Sequence, residues 1–314
     1  MSARRPPIAE RIRDRLLEAS QQVVAALAPP APRIEGRAIA TEVAQALRAD
    51  GVYVTTVERL LGEAAPACRE AMADAASLAH RLKQGHGTQW RPADASTDLA
   101  HGELLDRLPA LFMLGLNATM LSIAEQYLRL PVAYHGAVLR HSFVDGRAGG
   151  PRRWHRDAED FHVLRTVLYL NDVDEDGGPF EYVPRAFQAG AMHAVGYQGM
   201  CSDDEMAVHV PRQRWQRCTG PAGTLVIADS ARVFHHESPH RKADRTVLTM
   251  GHSSRRPRRP ELAMAHFPAH QHAPALSRLV ATEHHPHVFG WRRLAVPPLE
   301  PTTSILMARD LLSR

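Results

Sequence analysis

A histidine and an aspartate two residues apart form the first group of side chains in this sequence that could bind a metal ion. His155 and Asp157 lie in the segment Trp154-His155-Arg156-Asp157, which has the pattern of a strand. Successive strand side chains point to opposite faces, so His155 and Asp157 share a face and can bind one ion. The triplet alone is weak evidence, because it arises by chance in many chains.

Further candidate ligands follow a predicted strand much later in the chain. The segment Phe234-His235-His236-Glu237-Ser238-Pro239-His240 contains three histidines, and spacing alone leaves His235, His236 and His240 as alternatives. Two histidines and one carboxylate leave other coordination positions open, which is typical of non-haem Fe(II) sites that react with oxygen. Arg245 begins the next β-type run, and arginine binds a carboxylate through two parallel hydrogen bonds.

The elements that must position these residues change in type at about residue 132. Before it, helical patterns cover 8–28, 38–48, 64–83 and 117–129, with a polar loop predicted over 84–102. After it, short β-type runs are predicted over 134–143, 153–157, 164–170, 180–183, 206–210, 224–228 and 245–251. This order predicts a fold that is mainly β with helical additions, a double-stranded β-helix (jelly-roll, cupin-like) core flanked by N-terminal helices.

The composition along the chain indicates an arm and one larger domain. Residues 1–33 are predicted to be a helical arm with a Pro-rich linker, and residues 34–314 a single domain. Within it we expect a helical part at 34–131, the jelly-roll core at about 132–254 and a tail at 255–314. The arm is interpreted as docked on the domain, with a dimer contact as the alternative, and the oligomeric state stays open.

Composition excludes several classes of protein. The 314 residues are 44% hydrophobic and 23% charged, as in ordinary soluble domains. The three cysteines form no CxxC pair, which excludes a zinc ribbon, and a cytoplasmic location is the simpler interpretation. The net charge of +4 comes from scattered residues, so no nucleic-acid partner is predicted. The uncharged stretch 108–124 is interpreted as buried helix and loop, and no membrane partner is predicted.

Taken together, these features resemble the Fe(II)/2-oxoglutarate dioxygenases of the phytanoyl-CoA dioxygenase type. The resemblance covers about residues 45–255 and includes the HxD pair, the distant histidine, the following arginine and the Asp-Gly-Gly-Pro of the segment 168–180. It implies an oxidoreductase that uses Fe(II), 2-oxoglutarate and O2 and releases succinate and CO2. The implied substrate is a small-molecule metabolite, as in natural-product biosynthesis, and the default outcome is hydroxylation, with desaturation or cyclisation as variants.

The resemblance also implies the roles of individual residues. His155, Asp157 and His235 match the iron ligands, because the family places its second histidine four residues before a proline, here Pro239. Arg245 matches the residue that holds the distal carboxylate of 2-oxoglutarate. Further positions fall where relatives contact the cosubstrate, at Thr166 and Ser142, or the substrate, at Arg140 and Phe161.

Some positions depart from the family pattern. The hairpin of relatives continues Pro-Gly-Ser-His, whereas this chain has Pro184-Arg185-Ala186-Phe187, so their substrates do not transfer. Gly251 stands where nucleic-acid demethylases carry a second arginine, which weighs against a nucleobase substrate. The run Arg255-Arg256-Pro257-Arg258-Arg259 is interpreted as an exposed linker. Two alternatives stay open: a cupin-like isomerase or hydrolase that does not use 2-oxoglutarate, and a non-catalytic jelly-roll binding protein.

Overall fold

The computed structural model describes residues 7–28, 37–83, 89–93, 95–99, 101–145, 148–195, 199–239, 242–265, 267 and 272–291. Its α-helices are α1 (Ile8–Leu27), α2 (Arg37–Ala49), α3 (Val57–Leu61), α4 (Ala65–Lys83), α5 (His101–Arg107), α6 (Pro109–Met113), α7 (Ala118–Leu128), α8 (Ala189–Val195), α9 (Asp203–His209), α10 (Pro260–Met264), α11 (Ala273–Leu279) and α12 (His285–Val288). Its strands are β1 (Val52–Thr56), β2 (Gln89–Arg91), β3 (Ser96–Asp98), β4 (Val132–Ser142), β5 (Leu164–Tyr169), β6 (Phe180–Tyr182), β7 (Gln216–Cys218), β8 (Thr224–Asp229), β9 (His235–Glu237) and β10 (Arg245–Ser254).

The described strands form two antiparallel sheets. The large sheet has seven strands in the order β1-β8-β5-β10-β4-β3-β2, and the small sheet has three in the order β7-β6-β9. The long strands β4 and β10 lie side by side, with β5 on the other edge of β10. This is the predicted jelly-roll core flanked by helices, and the sheets do not close into a barrel.

The large sheet is buried on both faces. One face packs against the helices through residues such as Leu139, Leu168 and Leu248. The other faces the small sheet, where Val167 and Val247 pack with Phe180. All six residues of β5 are buried, and its sequence does not alternate between polar and apolar residues.

The run predicted over 153–157 is not a full strand and, among the described residues, pairs only through isolated bridges at Trp154 and His155. Two further segments have a different structure. Residues 206–210 were predicted as a strand but belong to helix α9 and its end, because Ser202 and Glu205 form a capping box that begins the helix. The predicted polar loop over 84–102 contains β2 and β3, which pair with each other and extend the large sheet beyond β4. In the first segment the capping box decided the secondary structure against a β-type composition. In the second, strand pairing decided it against a polar composition.

The uncharged stretch 108–124 is buried against the core as α6 and α7, as predicted. In the part of the chain that is described, we find no helix with both the length and the apolar character needed to cross a membrane. The proposed linker at 29–33, His240 and the end of the tail from residue 292 lie outside the described residues. The division into an arm and a domain remains a prediction.

Helix α1 contacts the rest of the chain through its polar side. Asp14 and Gln21 are buried, whereas Ile8 is 73% exposed and Leu27 is 79% exposed. Asp14 forms an ion pair with Arg258, so the arginine run predicted to be an exposed linker is part of this contact.

Candidate metal centre

Backbone pairing brings the two candidate histidines together. His155 and His235 form an isolated antiparallel bridge in which each N–H donates to the other's carbonyl, both at 3.0 Å. Their imidazole centroids are 4.4 Å apart. The Asp157 N–H donates to the carbonyl of Ser230 at 2.9 Å, which holds the carboxylate on the same side. The HxD segment is therefore fixed to the turn that precedes β9.

The three predicted ligands converge on one point. Their candidate ligand atoms lie within 4.8 Å of one another, and Asp157 Oδ1 is 3.7 Å from His155 Nε2 and 3.9 Å from His235 Nε2. His155 Nδ1 donates to the carbonyl of Arg153 at 2.7 Å, and His235 Nδ1 to that of Val233 at 3.2 Å. Because these carbonyls can only accept, each Nε2 keeps its lone pair for a metal. This donor set suits a divalent transition metal such as Fe(II).

Burial keeps these groups in the protonation states that a metal needs. Burial lowers the pKa of His235 to about 3, with a further contribution from the neighbouring His155 imidazole. Burial also lowers the pKa of His155, against the opposing effect of Asp157. For Asp157, burial alone would raise the pKa, but Arg165 and the two histidines outweigh it and hold the pKa well below its usual value. Neutral imidazoles and an ionised carboxylate are the forms that bind metal ions.

The alternative ligand His236 points away from this group. Strand alternation in β9 puts it on the opposite side from His235, and its Nε2 lies 2.9 Å from Glu181 Oε2. Its ring stacks on Trp154 at 4.0 Å between centroids. His236 is therefore held by its own partners and not by the candidate metal site.

A cavity of about 730 Å³ lies over the three ligands. Its lining includes His155, Asp157, His235 and the predicted residues Arg245 and Arg140. The apolar part of its wall is formed by Val138, Val167, Phe180 and Val247. This is the size of a small-molecule site.

Arg245 is positioned to hold an anion in this cavity. It begins β10, is 4% exposed, and its Nη1 donates to the carbonyl of Gly178 at 2.5 Å, while Nη2 forms an ion pair with Glu237. Ser142 lies directly opposite it in the β4–β10 register and is fully buried. Among the described residues, Arg245 Nε and Ser142 Oγ have no hydrogen-bond partner. Arg245 lines the cavity, whereas Ser142 does not belong to its described lining, so the contact of Ser142 with the cosubstrate stays a prediction.

The structure does not bring Thr166 to the cavity. Thr166 shares a face of β5 with Leu164 and Leu168, which pack against the helices. The residues of β5 that line the cavity are its neighbours Arg165 and Val167. Side chains alternate along a strand, so this placement disagrees with the predicted cosubstrate contact.

The two predicted substrate residues differ in their placement. Arg140 lines the cavity, where its guanidinium forms two hydrogen bonds of 2.6 and 2.8 Å with Asp98. Phe161 lies instead against the Arg258 guanidinium, 5.6 Å from its ring centroid, and does not belong to the cavity lining among the described residues. Arg140 thus stays a candidate substrate contact and Phe161 does not reach the cavity.

Sequence reasoning missed Arg165 and Glu237. Arg165 donates to Asp157 Oδ2 through Nε at 3.1 Å and Nη2 at 2.8 Å, and Nη2 also reaches Glu159 at 2.6 Å. The available signal was a single arginine within the apolar run of β5, since a buried charge needs a partner. Glu237 lines the cavity two residues after His235, on the same face of β9.

Sequence comparisons with known proteins give a partial match. No family model matches the chain. An L-proline trans-4-hydroxylase from Streptomyces griseoviridis is 24% identical over 172 residues, which are 46% of this chain and 60% of the relative. The chain thus matches less than two thirds of the length of that relative.

Solved structures share the fold. EctD from S. alaskensis in its apo form has a TM-score of 0.50 at 16% identity, over 73% of this chain and 81% of that chain. SnoN, a non-haem α-ketoglutarate-dependent epimerase from nogalamycin biosynthesis, has a TM-score of 0.47 at 15% identity, over 69% and 83%. At this level of identity the likeness to EctD shows the fold alone, a jelly-roll core.

Proposed function

We propose that this protein is a non-haem Fe(II)/2-oxoglutarate-dependent dioxygenase that oxidises a small-molecule metabolite, with hydroxylation as the default outcome. The observation that carries the proposal is the convergence of His155, Asp157 and His235 in the cavity that Arg245 also lines. The finer assignment to the phytanoyl-CoA dioxygenase type rests on the HxD, hairpin and arginine motifs.

Each residue has a physical task in this proposal. The two imidazoles and the Asp157 carboxylate would hold the iron, and iron with 2-oxoglutarate supplies the oxidation of a C–H bond by O2. Arg245 and Ser142 would bind the distal carboxylate through charge-assisted hydrogen bonds. The apolar wall around Phe180 and Val247 excludes water, and the cavity holds the substrate close to the metal.

A free amino acid is the first substrate to test. The curated relative is an L-proline trans-4-hydroxylase, and the cavity lining carries side chains of both charges. Two of these, Arg140 and Glu159, are already paired with Asp98 and Arg165, so a zwitterion would have to share those contacts. Turnover would be followed as succinate formed in the presence of L-proline and of other amino acids. Substrate-dependent succinate would support this substrate class.

The proposal is tested by adding Fe(II) and 2-oxoglutarate to the protein without oxygen and recording the visible spectrum. We expect a weak charge-transfer band in the wild type that is lost in His235→Ala and weakened in Arg245→Ala. His236→Gln is the matched control and should keep the band, because its ring binds Glu181.

The other outcomes favour the alternatives. Iron binding without any 2-oxoglutarate complex would contradict the proposal and favour a cupin-like isomerase or hydrolase. The ion pair between Arg245 and Glu237 is the observation that favours this alternative, because it already gives Arg245 a carboxylate partner. No metal binding at all would favour a non-catalytic binding protein.

A further inference from the structure

Glu237 places a carboxylate inside the candidate cosubstrate site. It is 7% exposed, lines the cavity, and follows His235 by two residues, so both side chains lie on one face of β9. Its Oε2 forms an ion pair with Arg245 Nη2, and its Oε1 lies 3.3 Å from Arg152 Nε. The arginine expected to hold a ligand carboxylate is therefore already paired with a carboxylate of the protein.

The arrangement limits what Arg245 can offer a ligand. One of its terminal nitrogens donates to the Gly178 carbonyl, and the other donates to Glu237. Within the part of the chain that the structure describes, only Nε of this guanidinium is without a partner. A carboxylate that binds an arginine through two parallel hydrogen bonds needs two neighbouring N–H groups, so it must share or displace the contact with Glu237.

The charged side chains around Arg245 balance one another. Arg152 is fully buried and forms a second ion pair with Asp145. The four side chains Arg152, Arg245, Glu237 and Asp145 therefore sum to zero charge. A second carboxylate beside Glu237 would meet a like charge at short range in a buried site, which is unfavourable.

We propose that Glu237 competes with the distal carboxylate of a 2-oxo acid for Arg245, and thereby weakens the binding of dicarboxylates relative to 2-oxo monocarboxylates. The proposal rests on the proposed function, since it assumes that a 2-oxo acid binds at the metal. Arg152 gives Glu237 a second partner, so the glutamate can leave Arg245 without becoming an unpaired buried charge.

The test compares two probes on Ni(II)-loaded protein by calorimetry. The probes are 2-oxoglutarate and 2-oxopentanoate, which has the same carbon chain but no distal carboxylate. We expect Glu237→Gln to tighten 2-oxoglutarate binding at least tenfold, which corresponds to about 1.4 kcal/mol. Binding of 2-oxopentanoate should change by less than about threefold, or about 0.7 kcal/mol.

Controls separate this effect from general damage. Glu181→Gln is the matched control, because Glu181 is equally buried but binds His236 and Ser238, and it should leave both affinities unchanged. Glu237→Ser removes the carboxylate without a bulky amide and should reproduce the gain if the glutamine variant folds poorly. The wild type alone provides a second measurement: it should bind 2-oxoglutarate less than about tenfold more tightly than 2-oxopentanoate.

The outcomes distinguish the two proposals. Unchanged or weaker 2-oxoglutarate binding in the Glu237 variants, or an equal gain for both probes, would overturn the competition while leaving the proposed function in place. A wild type that prefers 2-oxoglutarate a hundredfold would also overturn it. If Ni(II) binds but neither probe binds any variant, the proposed function fails together with the competition.

Discussion

At the scale of single residues, Arg165 is the support of the candidate metal ligand Asp157. Its guanidinium binds Asp157 Oδ2 through two nitrogens and leaves Oδ1 facing the histidines. Residues that orient a ligand in this way raise metal affinity, because they remove the cost of ordering the carboxylate when the ion binds. Arg165 also keeps the carboxylate ionised in a buried position.

We therefore predict that Arg165→Gln lowers the affinity for Fe(II) or Ni(II) by roughly 10- to 100-fold. The measurement is a metal titration by calorimetry, with circular dichroism to check the fold. Arg217→Gln is the control, because Arg217 pairs with the buried Glu181 on the small sheet and touches none of the ligands. An Arg165 variant with wild-type metal affinity would show that Asp157 is oriented by its backbone alone.

At the scale of elements, β10 carries a buried histidine on its helix-facing side. The pairing of β10 with β4 shifts register between Met250 and His252, and His252 Nε2 donates to the Gly115 carbonyl at 2.7 Å. Its ring stacks on Tyr134 at 5.1 Å between centroids. Burial lowers the pKa of His252 to about 4 from a reference value of 6.5, against the opposing effect of the Gly115 carbonyl.

This histidine makes folding stability depend on pH. Above pH 6.5, His252 is neutral in both the folded and the unfolded state, and its full contribution to folding stability is present. Between pH 6.5 and about 4 the unfolded chain binds a proton that the folded chain excludes, so stability falls as the pH falls. The loss attributable to His252 reaches about 3 kcal/mol at the lower end of this range.

We predict that His252→Gln reduces this pH dependence, because glutamine can still donate to the Gly115 carbonyl but does not titrate. Urea denaturation at pH 7 and pH 4.5 measures the difference in the free energy of unfolding. His209→Gln, at an exposed position of α9, is the control. If wild type and His252→Gln lose equal stability between the two pH values, the loss belongs to other groups.

At the scale of the whole molecule, α1 is tied to residues more than 100 positions away. Gln21 Nε2 donates to Asp160 Oδ1 at 3.1 Å and to Ser254 Oγ at 3.0 Å. Asp14 pairs with Arg258, and Glu10 pairs with Arg259, which also lines the cavity. Polar contacts thus connect α1, the helix of the predicted arm, to the rim of the candidate site.

We predict that Asp14→Ala combined with Gln21→Ala increases hydrogen exchange across α1 and leaves exchange in β4 and β10 unchanged. The physical reason is that most large apolar residues of α1, such as Ile8, Leu16 and Leu27, are exposed and add little to its docking. Ile12→Ala is the control, since Ile12 is 54% exposed, and it should not affect docking. Unchanged exchange in the double variant would mean that α1 is held by contacts other than these.

Much of the architecture was predictable from local patterns. The change from helices to short strands near residue 132, the HxD pair and the arginine that begins β10 are all features of short segments. A helix or strand of this kind is specified by its own residues, so periodicity and turn residues placed the longer helices α1, α2, α4 and α7 and the central strands β4, β5, β8 and β10. The fold class followed from their order, and the fold comparison agrees with it.

The inward and outward faces of the central strands were not predictable. β5 is buried on both faces because helices cover one side and the small sheet the other, and each face carries one polar residue, so its sequence has no alternation that distinguishes Thr166 from Arg165. The apolar spacing of α1 likewise did not show that this helix would dock on the rest of the chain through its polar side.

By itself, the sequence determined the longer helices and the central strands, the jelly-roll class and the residue types available to bind a metal. Only the tertiary structure decided that the backbones of His155 and His235 pair. It also decided that Arg165 forms an ion pair with Asp157 and that Glu237 forms one with Arg245. These contacts join strands through backbone pairing and charge compensation in a buried site. Their energies depend on the three-dimensional surroundings of each group and not on its neighbours in the chain.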